Sequence, residues 1–203
     1  RRILAAGADQ TEQVVFSFSQ EVQLTDMAMG DDGVLYMAVD GAVVMHDRRQ
    51  RWPDAAVSLD GFEAWRLSPA PHGGCWVLDR SSRTLARLTG TPLSELAIKP
   101  TSVETVRPCE ENADPPRLVK MDRVIWPPGE TPVALSSSQR GELACLSWTT
   151  SGEAMLRRLT EGCELSPPMR LLGTRFPYSL AWVDSGRVAV LVCGRVMEGG
   201  VSR

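Results

Sequence analysis

The side chains best suited to acid–base or metal chemistry are few and scattered along this chain. There are two histidines, His46 and His72. His46 precedes Asp47 at the end of an apolar run, and His72 lies in the turn Pro69-Ala70-Pro71-His72-Gly73-Gly74. Neither belongs to H-E-x-x-H or to another spacing that would aim two ligands at one metal, so turn or surface histidines are expected. Asp26, Asp31, Asp32, Asp40, Asp79 and Asp184 fall at strand ends or turns. Carboxylates gathered from several strand ends can hold a divalent ion, and Asp26, Asp32 and Asp184 are the residues such a centre would use. Nothing in the sequence brings them together, and turn formation accounts for each alone. Ser136-Ser137-Ser138 offers hydroxyls, but ahead of Gln139-Arg140-Gly141 it reads as a turn. The G-x-S-x-G, G-x-x-x-x-G-K-[ST] and G-x-G-x-x-G patterns are absent. No catalytic, cofactor-binding or metal residue is therefore assigned, and no cofactor is expected.

The five cysteines, Cys75, Cys109, Cys145, Cys163 and Cys193, are odd in number and form no C-x-x-C pair. Several sit inside apolar runs, which predicts buried, reduced thiols in a cytosolic protein instead of a disulfide framework or zinc site.

The elements that would position these residues come from a repeat. Gly33, Gly74, Gly141 and Gly186 each open a short apolar run: Val34-Leu35-Tyr36-Met37, Cys75-Trp76-Val77-Leu78, Leu143-Ala144-Cys145-Leu146 and Val188-Ala189-Val190-Leu191. A short apolar strand precedes each glycine, and a polar turn and a third strand follow. In the first unit the turn is Asp40-Gly41, the dipeptide that most readily reaches the two positive φ angles of a type I′ hairpin. The glycine intervals are 41, 67 and 45 residues. Two fit the 40–50 residues of one four-stranded propeller blade, and the long one calls for an insertion. Continuous apolar runs fit middle strands covered on both faces. Trp65, Trp76, Trp148 and Trp182 sit in or beside the strands, where they would fill gaps between blades. The predicted fold is all-β, a β-propeller of four-stranded blades spanning 1–203, with about four blades visible as part of a larger ring, a closed four-bladed ring being the alternative. A sandwich or barrel is the competing arrangement of short strands.

Unit one runs from about Glu21 to Asp60, unit two from Gly61 to Ile98 and unit three from Thr131 to Leu172; unit four begins at Phe176 and is incomplete. Ile3 to Gly7 and Val14 to Ser19 belong to a preceding blade or to ring closure. The insertion spans about Lys99 to Thr131. The segment from Pro100 to Pro132 holds seven of the chain's 14 prolines, which predicts an ordered arm, with Val103 to Val106 or Leu118 to Ile125 able to add a strand. Arg48-Arg49-Gln50-Arg51-Trp52-Pro53 reads as a solvated rim loop.

Net charge is −3, with 23% charged and 43% hydrophobic residues. That is ordinary globular composition and gives no basic surface for nucleic acid. No apolar run approaches the length of a membrane span.

The stretch Gly74-Cys75-Trp76-Val77-Leu78-Asp79-Arg80-Ser81-Ser82-Arg83-Thr84-Leu85-Ala86-Arg87-Leu88 resembles an NHL-type repeat. That resemblance implies a binding propeller or, in some relatives, a metal-dependent lactonase or lyase, whose ligands have no matching motif here. Trp126-Pro127-Pro128-Gly129-Glu130-Thr131-Pro132-Val133-Ala134-Leu135, with Leu165-Ser166-Pro167-Pro168 and Phe176-Pro177-Tyr178-Ser179-Leu180-Ala181-Trp182, resembles propeller proteins of bacterial phage-tail-like gene clusters. That likeness implies a structural or attachment part of a contractile particle.

The expected function is a non-enzymatic binding or structural module, cytoplasmic or part of a particle assembled there, with the arm as its contact surface. Its expected partners are proteins, baseplate components among them, with no nucleic acid and no membrane span. The alternative is a metal-dependent lactonase- or lyase-like propeller enzyme.

Overall fold

The computed structural model describes residues 2–6, 12–18, 20–47, 54–71, 73–81, 83–89, 117–121, 124–138, 140–159, 164–184, 186–192 and 195–200. Their regular structure is all strand. β1 (Arg2–Ala6) and β2 (Glu12–Ser17) form a two-stranded sheet. Blade one is β3 (Leu24–Met29), β4 (Val34–Val39), β5 (Ala42–Asp47) and β6 (Ala55–Val57). Blade two is β7 (Ala64–Pro69), β8 (Cys75–Asp79), β9 (Leu85–Thr89) and β10 (Arg117–Lys120). Blade three is β11 (Glu130–Ser137), β12 (Leu143–Thr149), β13 (Glu153–Arg158) and β14 (Met169–Arg175). A three-stranded sheet follows: β15 (Pro177–Asp184), β16 (Arg187–Val192) and β17 (Arg195–Gly200). Every sheet is an antiparallel meander in chain order, as the repeat predicts.

The local chemistry explains the hairpins. Asp40 and Gly41 have φ of 48° and 80°, the two positive angles of the I′ turn. Gly74 has φ of 78°, and a Cβ there would lie 2.3 Å from the Leu88 carbonyl oxygen. Only glycine lets β8 start so close to β9.

The first strands β3, β7, β11 and β15 approach one another in sequence, and side chains fill the seams between sheets. Ile3 of β1 packs with Leu35, Met37 and Val39 of β4. Val34, Tyr36, Val43 and Met45 meet Leu67, Val77 and Ala86 between blades one and two. Trp76, Leu78 and Leu85 meet Leu135, Leu143 and Cys145 between blades two and three. Leu146 and Leu156 meet Leu180, Val188 and Val190 beyond blade three, with Trp65, Trp148 and Trp182 against them. Each fully buried side chain of this size contributes about 1.5–3 kcal/mol.

All of β4 and β8 is buried, as strands covered on both faces should be. β16 differs from the continuous burial expected of it. Val188 and Val190 are buried against blade three, while Ala189 is half-buried and Leu191 exposed, because the other face of this sheet meets no further sheet among the described residues.

The second correction concerns unit two, which does not end at Ile98. Its fourth strand, β10, comes from behind residues 90–116 and pairs with β9, Leu118 opposite Leu88. The edge of β9 would otherwise keep a row of unpaired backbone groups. Of the two stretches expected to add a strand, the second does so only over its first residues, 118–120, within β10. Val103 to Val106, the rim loop 48–53, His72, Cys109, Cys163 and Cys193 lie outside the described residues.

Candidate functional site

Each first strand carries a register shift near its start: between Leu24 and Asp26, Ala64 and Arg66, Pro132 and Ala134, and Pro177 and Ser179. Thr25, Trp65, Val133 and Tyr178 are the extra residues at these bulges. A bulge takes backbone groups out of the ladder, so something else must satisfy them. Two side chains do much of this. Asp26 accepts the N–H of Leu67 at 2.9 Å and that of Met27 at 2.9 Å. Arg66 donates from Nη1 to the Thr25 carbonyl at 3.1 Å and from Nε to the Val133 carbonyl at 3.3 Å. Its guanidinium also covers the Trp65 ring at 4.7 Å. One aspartate and one arginine thus bind the first strands of three blades together. The equivalent positions on β11 and β15, Ala134 and Ser179, carry no charge.

Asp26 and Arg66 border a cavity of about 400 Å³ that Leu135, Tyr178 and Leu180 help to enclose. Burial holds the Asp26 carboxyl above its ordinary value, against the lowering effect of the Leu67 and Met27 N–H bonds and the Arg66 charge.

The other residues suited to chemistry are placed apart. Asp32, in the β3–β4 turn, accepts from the Val34 N–H at 3.0 Å and the Tyr36 hydroxyl at 2.7 Å, and that hydroxyl accepts the Gly74 N–H at 2.9 Å. Asp32 therefore anchors a chain of bonds from blade one to blade two. Asp40 and Asp79 do one job in two blades, each accepting the N–H of the residue just ahead of a first strand, Gln23 and Glu63, at 2.9 Å. Asp184 closes the β15–β16 turn with Gly186 and Arg187. Among the described residues no three of His, Cys, Asp and Glu gather at a site that could hold a metal. The set Asp26, Asp32 and Asp184 is thus divided among a first strand, one turn and a different sheet's hairpin.

His46 is half-buried in β5, with Nδ1 2.7 Å from Asp54 and its ring edge-on to Phe16. The serine run is less of a turn than its sequence suggests, for Ser136 and Ser137 end β11. Ser136 binds Trp182, and Ser137 binds Ser68 and the Pro69 carbonyl. Ser138 alone serves the turn, accepting from Arg140 and Glu142. Cys75 and Cys145 are buried and unpaired, and burial pushes both thiols up, Cys145 to about 12.

The second concave region was not foreseen. It lies where the chain leaves β10 for β11, at the end of the blades that carries the β8–β9 turn. A groove of about 310 Å³ there is lined by Arg83, Lys120, Val124, Ile125, Trp126, Pro127 and Pro128, with Glu130 at one side. Ile125 is 75% exposed. Arg83, at φ of 56°, donates to the Glu130 carbonyl at 3.3 Å and joins the two blades.

Below it is a buried ion pair. Arg157 donates from Nη2 to Glu130 Oε1 at 2.5 Å and from Nε to Oε2 at 3.1 Å, and Ser147 adds a third bond at 2.8 Å. Burial alone would raise the Glu130 carboxyl, but the bonds from Arg157 and Ser147 and the guanidinium charge hold it below its ordinary value. The only signal for this region in the sequence is the stiffness of Trp126-Pro127-Pro128. Nothing there pairs Glu130 with Arg157, which stand on nonadjacent strands of one blade.

No protein-family model and no curated protein matches the sequence. Solved structures do match. A streptogramin B lyase structure aligns with a TM-score of 0.65 at 13% identity, over 97% of this chain and 57% of that one. The β-propeller domain of Swd1 from Myceliophteria thermophila gives 0.61 at 13% identity, over 95% of this chain and 59% of that one. A chain of a nidogen/laminin complex gives 0.58 at 11% identity, over 98% and 74%. This chain spans about three-fifths of the length of the first two. At such identities the likeness carries the fold and none of the chemistry, and the fold serves a lyase and binding proteins alike. No helix of the described residues is long and apolar enough to cross a membrane. With the blade topology and the seams, the comparisons establish the architecture: this chain is a run of β-propeller blades.

Proposed function

We propose that the protein is a non-enzymatic binding module that holds a protein partner at the groove beside Ile125, as a component of a phage-tail-like contractile particle assembled in the cytoplasm. The observation that carries the binding reading is the groove itself. An exposed isoleucine stands there beside two prolines and two cations, on a seam between intact four-stranded blades. Long excursions on a repeat scaffold tend to carry recognition, and this groove is built where such an excursion returns. The blades supply rigidity, so little order has to be created on binding. The particle role rests on the resemblance of 126–135, 165–168 and 176–182 to propeller proteins of such clusters.

The test is a pull-down from native lysate with the wild type and with Ile125→Asp, read by mass spectrometry. Sheath, tube or baseplate-like proteins recovered by the wild type and lost with Ile125→Asp are expected. Recovery of the bait alone would overturn the binding reading. Equal recovery by both proteins would move the contact away from the groove.

A further inference from the structure

The groove is biased in charge. Arg83 and Lys120 line it, and the carboxylate beside them, Glu130, is committed to Arg157 and Ser147. A ligand therefore meets two cations and no free anion among the described lining residues.

The core behind the groove is itself short of hydrogen-bond acceptors. Among the described residues three buried side-chain polar atoms lack a partner: Trp76 Nε1, Arg87 Nε and Trp126 Nε1. All three are donors. Arg87 lies over the Trp76 ring, and both tryptophans belong to the core between blades two and three. Trp126, 8% exposed, also lines the groove. Buried donors are seldom left without acceptors, so the seam is short of acceptors. Ile125, Val124 and the two prolines add an apolar wall held by rigid backbone.

We infer that the groove takes an acidic peptide segment carrying one aliphatic side chain, an inference that rests on the binding-module reading above. The carboxylates would face Arg83 and Lys120, and the aliphatic group would cover Ile125. A volume of about 310 Å³ holds one such side chain and its flanking backbone. Nucleic acid is disfavoured, because two cations on a chain of net charge −3 make no basic track and the apolar wall would face phosphate.

The experiment is a selection of random dodecapeptides displayed on phage against the full chain. The strongest peptide is then synthesised with a fluorescent label, and its binding is measured by anisotropy. Enriched peptides should be net negative, with Leu, Ile, Val or Met flanked by Asp or Glu. Lys120→Glu should weaken the labelled peptide at least tenfold, Ile125→Ser should weaken it several-fold, and binding to the wild type should fall as salt rises. Thermal denaturation of both variants confirms that they fold. Neutral or basic enriched peptides, no enrichment, or an affinity indifferent to both substitutions would overturn the inference. If the pull-down still depends on Ile125 while the selection enriches basic or neutral peptides, the partner chemistry is wrong and the binding module stands. If neither assay depends on Ile125, both fail.

Discussion

The Asp26–Arg66 layer and the Ile125 groove both join blades and both border a cavity, yet they use polar groups in opposite ways. In the layer, the charged side chains answer backbone groups of the bulged first strands, so their hydrogen bonds run inward to Leu67, Met27, Thr25 and Val133. In the groove, the Lys120 side chain makes no hydrogen bond or ion pair among the described residues, and the Trp126 indole N–H is unanswered. Both regions contain residues of the kinds that do chemistry or binding. Capacity left over after the fold has been satisfied is what separates a fastening from a site.

The largest loss of stability is expected beneath the groove. Arg157→Leu leaves the Glu130 carboxylate buried without its partner, and a loss of about 3–5 kcal/mol is expected in thermal or urea unfolding. The pH dependence follows from the direction of the shift. Glu130 has its folded value depressed, so its contribution is present above the unfolded value of about 4.3 and lost as pH falls through the folded one. The gap between wild type and Arg157→Leu should therefore shrink in acid. A constant gap would mean that the loss is one of packing.

Arg66→Met tests the layer. It strands the Thr25 and Val133 carbonyls and should cost roughly 1–3 kcal/mol. No loss of stability would show that the guanidinium is not a fastening and would leave it available for a ligand.

Asp26→Asn should be milder, about 1 kcal/mol at neutral pH, since the amide keeps an acceptor. Its pH signature has the sign opposite to that of Glu130. The folded value of Asp26 is raised, so its favourable contribution is full below the unfolded value of about 3.9 and lost as pH rises through the folded one. The advantage of wild type over Asp26→Asn should grow as pH falls. Unfolding curves of the two variants across pH would thus diverge in opposite directions.

The smallest effects on stability are expected at the groove. Lys120→Glu and Ile125→Ser should change unfolding free energy by no more than about 0.5 kcal/mol, as exposed positions do, while altering recognition. A stability loss comparable to that of Arg66→Met would make Ile125 a structural residue and remove the contrast between the regions.

Much of the scaffold was legible because its signals are local. The Asp40-Gly41 turn, the glycine of β8 and the wholly apolar β4 and β8 each state their geometry within a few residues. The site was not legible, for distinct reasons. Asp26 was singled out as a carboxylate, but its use depends on a bulge, which a sequence pattern of alternating or apolar residues does not reveal. Arg66, Arg83, Lys120 and Ile125 carry no motif, and their association requires knowing which chain end meets which. Ser136 and Ser137 read as turn residues because serine favours turns, whereas their hydroxyls meet β15 and β7, respectively, across seams.

By itself, the sequence determined the repeated four-stranded unit, its turns and the need for extra chain in the long glycine interval, because periodicity and turn chemistry act over a handful of bonds. Tertiary structure alone decided that Arg117–Lys120 completes blade two, that Glu130 pairs with Arg157, and that two cations and an isoleucine share one groove. Those outcomes depend on contacts between segments far apart in the chain, whose energies are set by burial and by which backbone groups remain unpaired once the sheets have packed.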